Sequence, residues 1–254
     1  MSKLLLANFK RIFISKWYIL SILGTLLMSY IGSHKYFKDG TVYGLAYIAE
    51  LMINLDMYKK VIVFFSSLSC VTVFCQDYNS RYINSILPRT KKKYYTISNI
   101  IITTLAGFTS VFIGMILFFI SISHRIPVQA YETYGPYRDL CSDNPYIYII
   151  VIASIFSLYS AMWTAYGLAV SVIIPDKCIA LGTPVILGYL GEEITYRFPT
   201  PVNLYRLSHP GSEIFGDTAV SNYIYTLIFF LMSIIMAGYL FSCFVKRRVQ
   251  DEEF

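Results

Sequence analysis

The chain has 254 residues, of which 56% are hydrophobic and only 14% charged, and it carries a formal net charge of +6. An ordinary soluble domain has about a quarter of its residues charged, so that class is excluded. Runs such as 97–122 and 223–245 exceed the ~20 helical residues needed to cross a hydrocarbon core of about 30 Å, and the ~10-residue alternating segments of a membrane β-barrel are absent.

Residues 1–16 read as an amphipathic helix. Leu5, Phe9, Ile12 and Phe13 fall at helical spacing, while Asn8, Lys10, Arg11 and Ser15 fall largely elsewhere. This suits a helix lying in the membrane interface with its basic side toward anionic lipid; a plain extension of the first span is the alternative. With no small-residue cleavage site after the first apolar run, the segment is expected to be retained. Trp17 and Tyr18 then anchor span 1, residues 17–32, at headgroup level.

Residues 33–60 are mixed. Leu45, Ile48, Met52 and Leu55 keep helical spacing, but Glu50, Asp56, Lys59 and Lys60 make the stretch too polar for lipid. It is expected to form an outer helix leading into a short span 2, residues 61–75, with Lys59 and Lys60 snorkelling outward.

A polar elbow follows at 76–99, QDYNSRYINSILPRTKKKYYTISN, with Pro88 just past its centre. A short helix over 78–87, including Tyr78, Asn79, Arg81, Tyr82, Ile83, Ser85 and Leu87, is expected to lie across the inner surface. The basic residues Arg89, Lys91, Lys92 and Lys93 then restart the chain inward. Span 3 is 97–122, and an outer loop, 123–145, is rich in Pro, Tyr and Asp. Span 4 is 146–174, a tight Pro-Asp-Lys turn leads to the short span 5, 178–191, and span 6 is 222–245. The outer segment 192–221, with Pro199, Pro201 and Pro210, is expected to contain half-helices that dip into the membrane.

Six spans place both termini on one side. Thirteen of the twenty-one lysines and arginines then lie inside, and ten of the fifteen acids outside, in agreement with the positive-inside rule. The expected architecture is an all-α membrane protein, one transmembrane domain over 1–254. In span 4, Ala153, Ser157, Ala161, Ala165 and Ala169 recur every fourth residue, a small-residue stripe that lets helix backbones approach closely in lipid. It serves either packing within the chain or contact with a second subunit. The five cysteines are scattered, with no C-x-x-C pair, and define no disulfide framework.

Chemistry is sparse. No G-x-x-x-x-G-K-[ST] cradles nucleotide phosphates, no H-E-x-x-H or G-x-S-x-G occurs, and His34, His124 and His209 are far apart. Basic residues beside a span are ordinary topology, so nucleic acid is not expected as a partner. Glu192-Glu193-Ile194-Thr195-Tyr196-Arg197 resembles the first motif of the CAAX-type intramembrane proteases, in which a glutamate activates water. Tyr205-x-x-x-His209 is a distorted version of that family's second motif, and no third motif follows.

The layout as a whole resembles the ABC-2 type permease family over nearly all 254 residues. The points of similarity are the interfacial N-terminal helix, six spans with both ends inside, a short span 5 before a Pro-containing outer re-entrant segment, and the elbow. The resemblance implies that 78–87 is a coupling helix docking in a groove of a separate ABC ATPase, with Arg81 and Tyr82 as contact residues. It also implies two permease chains, as a homodimer, with two ATPase subunits that bind the ATP and Mg. This chain itself would hold no cofactor or metal and have no enzymatic activity.

An outside energy source also fits the absence of an evident charge relay in the spans and of a sequence-level repeat. Apolar, aromatic walls suit an amphipathic or hydrophobic cargo, because they cannot compensate a charged solute's lost hydration. Small separate permeases of this Ile-, Lys-, Tyr- and Asn-rich style resemble those that export peptides, or give bacteriocin self-immunity, in the cytoplasmic membrane of Gram-positive bacteria. A sensor or immunity protein that binds peptide without moving it is the third expectation.

Overall fold

A computed structural model describes all residues except Met1, Leu55, 87–91, 129–134, 210–211, 213, 215–217 and 252–254, and among the described residues regular structure is entirely helical. The N-terminal helix α1 (Ser2–Phe13) breaks at Ile14-Ser15. The chain restarts as α2 (Lys16–Ser33), whose N-terminus is capped by Ser15. The two helices meet at a bend of 52°. A 3-10 turn (His34–Tyr36) leads to α3 (Phe37–Tyr43), followed by α4 (Leu45–Asn54) and α5 (Asp56–Ser67). Two short helices come next, α6 (Val73–Asn79) and α7 (Tyr82–Ile86), then the long α8 (Lys92–Ile122). The second half comprises α9 (Arg138–Asp143), α10 (Pro145–Ile173), α11 (Lys177–Thr195), α12 (Leu204–Leu207) and α13 (Ala219–Asp251).

Three of these helices, α8, α10 and α13, are long and apolar enough to cross a membrane, and the bent pair of α1 and α2 makes a fourth if the two are taken as one span. Side-chain placement fits a lipid solvent. On α2 the inward face is small and polar, with Ser21, Thr25, Ser29 and Ser33 all buried. Each of these hydroxyls donates to the carbonyl four residues back at 2.7–2.9 Å. The large apolar residues Ile19, Leu20, Leu23, Leu27 and Ile31 point outward instead. Small residues inside and Leu or Ile outside is how helices pack where lipid, not water, surrounds them.

α10 is the central column, apolar and buried on nearly every side. It packs against α4, α5, α8, α11 and α13. Two glycines allow close approaches to it. A Cβ on Gly107 of α8 would lie 2.5 Å from Thr164 Oγ1, and one on Gly167 of α10 would lie 2.6 Å from Pro184 Cγ of α11. Ala153, Ser157, Ala161, Ala165 and Ala169 are all buried within this chain. They pack helices of one chain together and leave no stripe on α10 for a second subunit.

Several expectations need correction. Span 2 is not one helix: α5 ends at Ser67 and turns occupy 68–72 before α6. Lys59 does not snorkel outward but is fully buried on α5. The mixed outer segment is more internal than its polarity suggests, with Leu45, Ile48 and Met52 of α4 in the core; Leu55 lies outside the described residues. The described part of 192–221 holds the last turn of α11, a 3-10 turn (Thr200–Val202) and the four-residue α12. On α1, Asn8 is buried and Phe9 is exposed, because the Asn8 amide donates to Ser98 Oγ (3.0 Å) and Asn99 Oδ1 (2.8 Å) of α8.

Candidate functional site

The elbow joins the α5–α6 break to the start of α8. The expected helix over 78–87 is divided. Tyr78 and Asn79 finish α6, Ser80 and Arg81 turn the chain, and Tyr82, Ile83 and Ser85 belong to α7. Ser80 closes α6 by donating its hydroxyl to the Gln76 carbonyl at 2.7 Å. Arg81 takes the left-handed conformation, φ 55°, which favours glycine and costs an ordinary residue about 1–2 kcal/mol. That kink aims α7 in a new direction.

α7 has two faces. Ile83 and Ile86, one turn apart, are buried in a cluster with Phe74, Tyr95, Leu168, Val172, Phe241 and Val245. Arg81, Tyr82 and Ser85 are exposed, and so are Asn79 and Ser80 just before them. A groove of about 470 Å³ runs along this exposed side, between α1 and the elbow, lined by Asn8, Arg11, Asp77, Arg81, Tyr82 and Ser85 among others. Lys92 and Lys93 open α8 at the same end, whereas Leu87, Pro88, Arg89 and Lys91 lie outside the described residues.

Two polar braces fix α6. Asp77, 2% exposed, accepts from Arg11 Nη1 of α1 at 2.5 Å and from the Tyr95 hydroxyl of α8 at 2.8 Å. The other arm of Arg11 donates to Gln76 Oε1 at 3.0 Å. On the far side, Arg248 of α13 donates to the Tyr78 hydroxyl at 3.0 Å and lies 4.7 Å from the centre of its ring. Arg248 also donates to the carbonyls of Val172 (3.2 Å) and Ile173 (3.0 Å). It thus caps the end of α10, where backbone carbonyls otherwise lack partners. Asp176 caps α11 through the amides of Cys178 and Ile179 at 2.8 and 3.0 Å, and its carbonyl accepts from Cys75 Sγ at 3.6 Å. The elbow is therefore bolted to α1, α8, α10 and α13.

A second polar cluster lies at the other end of α11. Lys59 Nζ sits 2.5 Å from Glu192 Oε1 and donates to Ser208 Oγ at 2.7 Å. The Tyr159 hydroxyl donates to the same carboxylate oxygen at 2.8 Å. The ammonium also lies over two rings, Tyr159 at 4.6 Å and Tyr205 at 5.6 Å. Such cation–π contacts strengthen when desolvated. Glu192 forms one wall of a cavity of about 390 Å³ shared with Lys60, Tyr189, Glu193, Tyr196 and Tyr205.

This cluster changes the reading of the protease-like motif. Glu192 is engaged as the counter-ion of a buried lysine, a geometry that holds helices together, and His209 stacks on Tyr205 with ring centres 5.0 Å apart. Among the described residues no group of three or more His, Cys, Asp or Glu is placed to hold a metal ion. Lys59, Asp77 and Glu192 are all buried, each just outside the apolar runs read as spans.

Arg11, Tyr95 and Arg248 were not singled out in the sequence as site residues. One signal was present: on the side that the six-span expectation places inside, Asp77 and Asp176 are the only acids outside the C-terminal tail. Compared with known protein families, curated proteins and solved structures, the chain matches none.

Proposed function

We propose that this chain is the ABC-2 type permease subunit of an ATP-driven exporter in a cell membrane, and that it moves an amphipathic peptide. In this reading α2, the broken pair α5 and α6, α8, α10, α11 and α13 are six spans with both termini cytoplasmic. ATP and Mg belong to a separate ABC ATPase, two copies of which serve a pair of permease chains.

The observation that carries the proposal is the construction of the elbow. α7 offers Arg81, Tyr82 and Ser85 to solvent while Ile83 and Ile86 lock its other face into the core. The adjoining α6 is tied to α1 and α8 through Asp77, and to α13 through Tyr78. A push on the exposed face is passed to several columns at once, as a contiguous network of packed and hydrogen-bonded groups allows. A surface loop without such bracing would absorb the push.

ATP-dependent accumulation of labelled amphipathic peptides in inverted native membrane vesicles tests this reading. Vesicles containing the chain and its neighbouring ATPase are expected to accumulate peptide with ATP and not without it. Peptide binding with no ATP-dependent accumulation would identify a sensor or immunity protein instead.

A further inference from the structure

A further cavity reaches the elbow end of the bundle. It is a groove of about 750 Å³ between α8 and α13. Its walls are Ile97, Ile100, Ile101 and Thr104 from α8, and Ile234, Ile235, Gly238 and Tyr239 from α13. Lys92, Lys93 and Lys246 stand together at one end, because α8 starts where α13 finishes, and the described lining contains no aspartate or glutamate. We propose that this groove binds one anionic phospholipid, with its phosphate among the three lysines and an acyl chain along the isoleucines. The inference requires only that the chain sits in a bilayer, and is independent of any ATPase.

Three observations point to this occupant. The first is length. From Lys93 to Thr104 a helix rises about 17 Å, close to the ~15 Å depth of one leaflet's hydrocarbon. A single acyl chain reaches from the lysines to Thr104. The second is charge. Three lysines line one end of the groove, and basic pockets between membrane helices beside the surface recruit anionic headgroups.

The third is what the groove disfavours. A second copy of the chain, docked symmetrically on this face with the same membrane orientation, would bring its own Lys92, Lys93 and Lys246 to the same end. A two-fold interface repeats every patch, so six ammonium groups would gather. Ile101, Ile235 and Tyr239 are 42%, 65% and 69% exposed, which keeps the groove open to lipid along its length. Gly238 keeps it deep: a Cβ there would already come within 3.3 Å of Ile100 Cγ1.

The experiment is native mass spectrometry of the full chain, purified in detergent and titrated with phosphatidylglycerol or phosphatidylcholine, paired with thermal unfolding. One phosphatidylglycerol is expected to be retained per chain and to raise Tm, with phosphatidylcholine far weaker. Removing lysines should weaken retention about fivefold each, so K92Q/K93Q/K246Q should lose the preference. K35Q/K177Q, which changes exposed lysines outside the groove, should keep it. Because the triple variant disturbs charges near a span, Gly238→Leu supplies a second reading by filling the groove while keeping all three lysines, and should also lose the bound lipid. Equal retention of the two lipids, or an unchanged preference in both groove variants, would overturn the proposal. So would chain dimers that form without lipid and are lost in Gly238→Leu, which would assign the groove to a second copy.

Discussion

Two ion pairs, Arg11–Asp77 at the elbow and Lys59–Glu192 at the C-terminal end of α11, are built for different purposes. In the elbow pair the Arg11 side chain is 34% exposed while that of Asp77 is 3% exposed. In the other pair Lys59 is 0% and Glu192 9% exposed. The elbow pair keeps its cation at the surface, beside a groove and an exposed helix face, so water or a partner can take over part of its hydrogen bonding. The Lys59 ammonium has no such recourse. It is held between α5, α10, α11 and α12 by Glu192, Ser208 and the rings of Tyr159 and Tyr205. Charge deep in the fold clamps helices; charge at the rim can be worked.

The largest expected effect breaks the buried clamp. Glu192→Ala leaves Lys59 as an uncompensated interior charge, and removing one partner of such a pair costs about 3–5 kcal/mol. Thermal unfolding in detergent should show a strongly lowered Tm. Replacing both partners, as in K59M/E192M, should recover most of that loss, because the desolvation penalty of both ions is removed as well. A double variant as unstable as Glu192→Ala would mean that the carboxylate does more than balance the lysine.

At the rim the same operation should cost less. Asp77→Ala strands the Tyr95 hydroxyl, while Arg11 can reach water. The expected cost is about 1–3 kcal/mol, with transport falling further than stability does. Arg248→Ala removes the cap on two α10 carbonyls and the Tyr78 contact, for about 1 kcal/mol. Recovery of transport, but not of Tm, in Arg248→Lys would show that the charge matters to motion and the guanidinium shape to packing.

The smallest stability change is expected at the exposed face. Tyr82→Ala should lie within about 0.5 kcal/mol of the native Tm equivalent yet lower ATP-dependent transport. If Tyr82→Ala instead unfolds the protein, α7 is part of the core and the contrast between the two regions collapses.

Much of the fold was legible because lipid imposes simple rules. The apolar run at 223–245 lies inside α13, and the stripe from Ala153 to Ala169 lies buried on α10 where small residues permit contact. The failures share a different cause. Lys59 looked like a snorkelling side chain because its counter-ion lies 133 residues away, and no local pattern announces such a partner. The split of the elbow helix was hidden because Arg81, not glycine, occupies the left-handed position, so no breaker was visible. Asn8 broke the face assigned to α1 because a buried amide is welcome where Ser98 and Asn99 await it.

The proposed docking role of α7 is tested most directly by crosslinking. Cysteines placed at Asn79 and Ser85, both on the exposed side of the elbow, need a background in which the exposed Cys178 and Cys243 are replaced. In native membranes a bifunctional thiol-to-amine reagent should join either position to an ABC ATPase, with a cysteine at the outward-facing Met232 of α13 as the negative control. Capture of the ATPase from the elbow alone is the expected result. Retrieval of no ATPase from Asn79 or Ser85, or equal retrieval from Met232, would contradict the account.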